Sequence, residues 1–246
     1  MQANLGESLQ QSRRFRNQES YLEGNIFKDH PGLSQASVDW NGFADSWNNL
    51  LLDRHMADGG SYRYRRYSEF EFLQSKDEFS LLPHRPYRQS KEINYLNGGV
   101  DRLYSPIERK IQLSTVMQAL LKYCVFLIGS KINSSQKWVA QVFQNRIHAR
   151  AGGVDGEPTP EGMHRDGVDF VMILMINRVN VQGGMSSVFD GEKKLLKTKS
   201  LSMPGDYFFL DDNRTFHSAS SISSLGIGDG YRDALIVMLA GEGAPS

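Results

Sequence analysis

Hydrophobic spacing divides this chain into a helical first half and a strand-rich second half. Trp40, Phe43, Trp47, Leu50, Leu51 and Arg54 recur at helical spacing. That predicts a helix beginning at Ser37, capped by Ser37 or Asp39 and ended by Gly59-Gly60. Pro106 opens a second predicted helix, Ile107 to Ile128, whose apolar residues surround most of its circumference. Between the helices, Ser61 to Phe72 reads as a strand with Tyr62, Tyr64 and Arg66 on one face and Arg63, Arg65 and Tyr67 on the other. The stretch Ser75 to Asn97 carries Pro83 and Pro86 and reads as a long loop with short strands, long enough to act as a lid.

After Asn133 the pattern changes. Trp138 to Ala149 alternates, and Val171 to Ile176 is a continuous apolar run of strand length. Met185 to Phe189 and Leu195 to Leu201 flank Asp190-Gly191, a hairpin signal. Pro204-Gly205-Asp206 turns into the strand YFFL. Thr215 to Ser220 is extended, Ser220 to Gly230 is a Ser/Gly loop, and Tyr231 to Leu239 is the last strand. Short strands at regular spacing predict a sandwich, barrel or jelly roll: a mainly β fold with flanking helices. The expected organisation is a single domain over residues 1–246. It divides into an arm and helix (1–60), a mixed segment (61–135), a β core (136–240) and a tail (241–246). Residues 1–24, rich in Gln, Asn, Ser and Arg, are expected to be a frayed or loosely docked arm.

Composition narrows the function classes. Lys+Arg and Asp+Glu both number 28 in 246 residues, and a neutral chain argues against nucleic acid or an anionic membrane as the main partner. A single cysteine, Cys124, rules out an internal disulfide and points to a reducing, cytoplasmic setting. It lies mid-helix among apolar residues, the setting of an inert thiol. The polar first thirty residues do not resemble a secretory signal, and no apolar run is long enough to span a bilayer.

The candidate chemistry lies in PTPEGMHRDGVDF, Pro158 to Phe170. His164 and Asp166 are two apart, so on a strand their side chains share a face, with Cα atoms about 6–7 Å apart. A second His from a later strand, His217 in DDNRTFHSAS, would complete two imidazoles and one carboxylate on one face of a metal. That set suits non-haem Fe(II) and leaves coordination positions open. Arg232 starts the strand after it. A hairpin from Thr215 to Leu239 would bring Arg232 beside His217 as a fork for the far carboxylate of a metal-chelating dicarboxylic keto acid. Asp169 falls on the opposite parity and is expected to point away from the metal, and His148 is expected to be structural. His164-Arg165-Asp166 also spells the start of a kinase catalytic loop, but Gly167 follows, no Asn comes at the needed spacing, and no Gly-rich loop precedes it.

PEGMHRDGVDFVMILMINRVNVQGG, GDYFFLDDNRTFHSAS and GYRDALIVML, in that order, resemble the Fe(II)/2-oxoglutarate dioxygenases of the L-isoleucine 4-hydroxylase type, bacterial hydroxylases of free aliphatic amino acids. The resemblance runs from about Phe143 to Leu239, and GGVDRLYSPI extends it towards the N-terminus. It implies a double-stranded β-helix, a cupin-like jelly roll. It assigns the metal to His164, Asp166 and His217, and the distal carboxylate of 2-oxoglutarate to Arg232. It also implies O2 as cosubstrate, with ascorbate helpful in vitro, and hydroxylation of a C–H bond coupled to conversion of 2-oxoglutarate to succinate and CO2. A free amino acid further requires a cation for its carboxylate and an acceptor for its ammonium, and Arg146 and Glu161 are the candidates. The competing expectations are a cupin-like metal-binding module or isomerase without turnover, which has no use for Arg232, and a hydroxylase of a carrier- or peptide-bound amino acid.

Overall fold

The computed structural model describes residues 19–30, 33, 39–96, 98–129, 137–153 and 155–241. Ser37, most of the expected arm (1–18) and the tail beyond Gly241 lie outside the described residues. The elements run β1 (Tyr21–Asn25), α1 (Ile26–Asp29), α2 (Trp40–Asp45), β2 (Leu51–Leu52), β3 (Arg63–Leu73), β4 (Glu78–Leu81), α3 (Arg109–Gln112) and α4 (Thr115–Ile128). The β-rich half continues with β5 (Trp138–Ala149), β6 (Phe170–Val179), β7 (Val181–Gly183), β8 (Met185–Phe189) and β9 (Leu195–Ser200). It ends with β10 (Asp206–Asp211), β11 (Phe216–Ala219), β12 (Ile222–Ser224) and β13 (Gly230–Gly241).

An eight-stranded antiparallel sheet, β1-β10-β6-β13-β5-β3-β2 with β4 beside β3, forms one side of a jelly roll. The small sheets β11-β8-β9 and β12-β7 form the other. Strand parity explains why the large sheet is apolar on both faces. On β6, Phe170, Met172, Leu174 and Ile176 pack outward against Trp40, Phe43, Leu120 and Tyr123 of the helices. Val171, Ile173 and Met175 face inward, in the cluster with Val188 and Phe208. The continuous run VMILMI is thus a strand buried on both sides. The same alternation on β13 sends Leu235, Val237 and Leu239 to the helices and aims Arg232, Ala234, Ile236 and Met238 into the roll.

Several expectations need correction. The expected first helix, α2, ends at Asp45 and is followed by a 3-10 turn, Ser46–Asn49, rather than running to Gly59. Leu50 is extended (ψ 150°), the Trp47 indole donates to the Asn145 carbonyl at 3.1 Å, and Leu51 and Leu52 pair with β3. Asp39 is a cap, accepting from the Gly42 amide at 2.9 Å. The second helix is broken in two at Leu113. Ser114 is extended there and its hydroxyl accepts from the Met117 amide at 3.1 Å, restarting the helix as α4. Pro106 instead bridges to Tyr67. The end of the expected arm is not frayed, since β1 pairs with β10 over its whole length. The Ser/Gly loop contains β12, paired with β7. His217 and Arg232 are not on neighbouring strands. β11 pairs with β8 in a small sheet and β13 with β5 and β6 in the large one, so the two residues face each other across the roll.

Candidate active site

One cavity opens between the sheets, lined from the large sheet by Arg63, Arg65, Phe143, Asn145, Ile147, Ile173 and Arg232, and from the other side by Ser186, His217 and Ala219. His164 and His217 exchange both backbone hydrogen bonds across an isolated bridge, at 3.0 and 2.9 Å. This bridge, rather than a regular strand, sets the imidazoles side by side, with ring centroids 4.3 Å apart. Asp166 lies beyond the bridge on a tight turn, with Gly167 at φ +78°. That φ favours glycine, and a Cβ there would stand 2.2 Å from Ile93 Cδ1 and displace that side chain. The turn is fixed by Asp212, whose carboxylate accepts from the amides of Asp166, Gly167 and Val168 at 2.8–3.2 Å.

His164 Nε2 stands 3.7 Å from Asp166 Oδ1, and His217 Nε2 stands 3.5 Å from Asp166 Oδ2. One ligand atom from each of the three lies within 4.8 Å of the others. His164 Nδ1 is 3.0 Å from the Gly162 carbonyl, which assigns one proton to Nδ1 and leaves Nε2 as the atom that would ligate a metal once deprotonated. Burial, and after it the charge of His164, holds His217 well below the ordinary imidazole range, keeping it neutral and able to ligate. Its Nδ1 has no hydrogen-bond partner and stands 4.0 Å from Asp212. Burial and the Asp166 charge push the Asp212 carboxyl up to about 7, although three amides oppose the shift, and a bound cation would reverse that pressure. Two imidazole nitrogens and one carboxylate, crowded together and short of counter-charge, fit a divalent metal of the Fe(II) kind.

Arg232 is 5% exposed and its Nε has no hydrogen-bond partner. Burial and the neighbouring Arg178 lower its pKa to about 10, so it remains a cation at neutral pH. Glu161 also lines the cavity, with Oε1 at 3.6 Å from His164 Nε2 and Oε2 buried without a partner. The structure does not bring Arg146 to the cavity. The inward residues of β5 are Phe143, Asn145 and Ile147, and Arg146 has the other parity. There it forks onto Asp233 (2.6 and 2.8 Å), donates to Asn48 at 3.1 Å and lies over the Tyr231 ring at 4.0 Å. His148 shares that outer face, its ring 4.8 Å from the Tyr64 ring. Asp169 points away from the triad, accepting from the Gly241 amide at 2.8 Å.

Sequence reasoning did not assign a role to Arg63, Arg65, Tyr87, Gln89 or Arg102, all of which line the cavity. The available signal was the inward set Arg63, Arg65, Tyr67 on β3, too polar for a core face and too aromatic for a solvated one. Gln89 donates to the Asp166 carbonyl at 3.1 Å and Tyr95 donates to the Glu161 carbonyl at 3.3 Å, so the loop after β4 crosses the mouth of the site.

The profile of the 2OG-Fe dioxygenase family matches residues 44–238. The chain is 23% identical over 213 residues to an L-isoleucine-4-hydroxylase of Bacillus thuringiensis, covering 85% of this chain and 83% of that one. Among solved structures, it is similar to a bsmA homologue from Methylobium petroleophilum PM1 (TM-score 0.85, 27% identity, 97% of this chain and 95% of that one). It also shares the fold of the Fe(II)/α-ketoglutarate-dependent dioxygenase TqaL (TM-score 0.74, 19% identity, 97% and 88% covered). Family membership carries with it Fe(II), 2-oxoglutarate and O2, which the donor set and the unpartnered buried arginine accommodate. The match spans most of the jelly roll and takes in every residue of that donor set, and the chain therefore belongs to the 2OG-Fe dioxygenase family.

Proposed function

We propose that this enzyme hydroxylates a free L-amino acid with an aliphatic side chain, of the leucine, isoleucine or methionine kind, as a single-domain cytoplasmic protein. The observation that carries the proposal is the composition of one cavity. It joins the triad, the unpartnered cation of Arg232 and the unpartnered carboxylate oxygen of Glu161 through walls that include Ile147, Ile173, Ala234, Ile236 and Met238. Polar anchors at the ends and aliphatic side chains between them suit a small zwitterion with an apolar side chain.

In this reading His164 and His217, through Nε2, and Asp166, through its carboxylate, hold the iron. Arg232 takes the distal carboxylate of 2-oxoglutarate as a charge-assisted fork in a dry site. When bound, iron, 2-oxoglutarate and O2 supply the oxidising chemistry: one oxygen atom enters the substrate C–H bond, the other enters succinate, and CO2 leaves. The remaining work falls to the chain. Gly162 orients the His164 imidazole and Asp212 fixes the Asp166 turn. Glu161 receives the ammonium and fixes which carbon faces the metal, and the loop carrying Gln89 and Tyr95 limits water entry.

Incubation of the protein with Fe(II), ascorbate, 2-oxoglutarate and a pool of amino acids tests this. The expected result is succinate formed in step with a single-oxygen mass gain on an aliphatic amino acid. Succinate with no oxygenated amino acid would contradict the substrate class.

A further inference from the structure

Two further buried arginines line the cavity, each with a donor left without a hydrogen-bond partner. Arg65, its side chain 10% exposed, stands 3.4 Å from Asp53 Oδ2, the oxygen that already accepts Arg63 Nε at 2.9 Å. Two guanidinium groups thus share one carboxylate, and Arg65 Nε has no hydrogen-bond partner. Its guanidinium carbon lies 5.2 and 5.1 Å from the Tyr104 and Phe143 ring centroids, and Nη1 donates to the Tyr104 hydroxyl at 3.4 Å. Arg102, 2% exposed, lies over the Tyr87 ring at 4.7 Å and donates to the neutral Gln89 amide oxygen at 2.9 Å, and its Nε also has no partner.

A buried guanidinium with an unpartnered donor is costly, and aromatic rings pack against both of these at the cavity wall. Their position separates them from the keto-acid end. Across the inward face, Arg63, Ile147 and Arg232 form one row, and Arg65, Asn145 and Ala234 form the next, with Arg65 two strands away from β13. Arg102 is linked to the triad by two hydrogen bonds, through Gln89 to the Asp166 carbonyl.

We propose that Arg65 and Arg102 form a clamp for the α-carboxylate of the substrate, so that this enzyme accepts an amino acid only as the free acid and rejects it as an amide, ester or carrier thioester. The proposal rests on the amino-acid reading above. A guanidinium fork matches a carboxylate with two charge-assisted bonds and gains far less from a neutral amide or ester, which offers a single uncharged carbonyl oxygen. With Glu161 on the ammonium, the clamp brackets the α-carbon and leaves the side chain to reach the metal.

The test is calorimetric titration of the anaerobic holoenzyme, loaded with Fe(II) and 2-oxoglutarate, with L-isoleucine and with L-isoleucinamide. Isoleucinamide is expected to bind at least about 30-fold more weakly than isoleucine, as befits loss of a buried charge pair. Arg65→Met and Arg102→Met are each expected to weaken isoleucine by a similar factor, with isoleucinamide and 2-oxoglutarate affinities nearly unchanged. Arg65→Lys should recover only part of the loss, because an ammonium cannot fork. Equal binding of the acid and the amide by the wild-type protein would overturn the clamp and leave the amino-acid reading standing. So would variants that weaken 2-oxoglutarate instead of isoleucine. Binding of neither compound would overturn the amino-acid reading, and the clamp with it.

Discussion

Arg146 shows how one residue's parity decides its role. It was a candidate for the substrate carboxylate because it lies on the strand VFQNRIHA, close to the cavity in sequence. Its side chain leaves the opposite face of β5 and is held by Asp233, Asn48 and Tyr231. Arg146→Ala would leave the buried Asp233 carboxylate without its partner, a loss of about 3–5 kcal/mol. We expect a large fall in the urea midpoint, with amino-acid affinity unchanged in the protein that remains folded. Unchanged stability combined with lost affinity would restore the substrate role. Residue type, spacing and the family resemblance singled out His164, Asp166, Glu161, His217 and Arg232 as candidates, and the structure brings all five to one cavity. Arg65 and Arg102 were not singled out, because what marks them is a buried donor left without a partner, and that depends on how Arg63 and Arg65 share Asp53 and how Arg102 meets Gln89.

Among elements, the strands were more legible than the helices. β5 begins and ends at the residues that its alternation predicts, and β8 and β9 form the hairpin announced by Asp190-Gly191. The helices were overextended where a buried side chain found a better bond outside helical geometry, as Trp47 does with Asn145 and Ser114 does with Met117. β1 went unpredicted because its apolar content is slight and its stability comes from partners. Glu23 on β1 pairs with Lys197 at 2.6 Å and Lys199 at 3.1 Å on β9. Burial alone would raise the Glu23 pKa, but the two lysines outweigh it and hold the carboxyl below its ordinary value. A carboxyl held low stabilises the fold at any pH above its ordinary range, and the contribution disappears as the pH falls through the lowered value. Glu23→Gln should therefore lower Tm at neutral pH, more so at low salt, and the difference from the wild type should shrink as the pH falls through the lowered Glu23 value. A Tm difference that persists unchanged in acid would show that the pairs do not anchor β1.

At the scale of the molecule, the strand content announced a β fold, but the chain's path through it was not legible. A hairpin from Thr215 to Leu239 was the shortest connection, yet the chain crosses from the small sheet to the large one between β11 and β13. That crossing matters for function. It places the His164–His217 bridge on one side of the cavity and Arg232 on the other. The helices, packed on the outer face of the large sheet, support this geometry without entering the site. No helix among the described residues is long and apolar enough to cross a membrane.

The central claim is that His164, Asp166, His217 and Arg232 hold one iron and one 2-oxoglutarate in that cavity. Visible absorbance of the anaerobic Fe(II) protein titrated with 2-oxoglutarate tests it most directly. The account predicts a charge-transfer band that saturates at one equivalent. The band should be absent in Asp166→Ala, and in Arg232→Met it should appear only at much higher 2-oxoglutarate, about 30-fold or more for the loss of a buried charge pair. A band of full intensity in Asp166→Ala, or an unchanged 2-oxoglutarate affinity in Arg232→Met, would contradict the account.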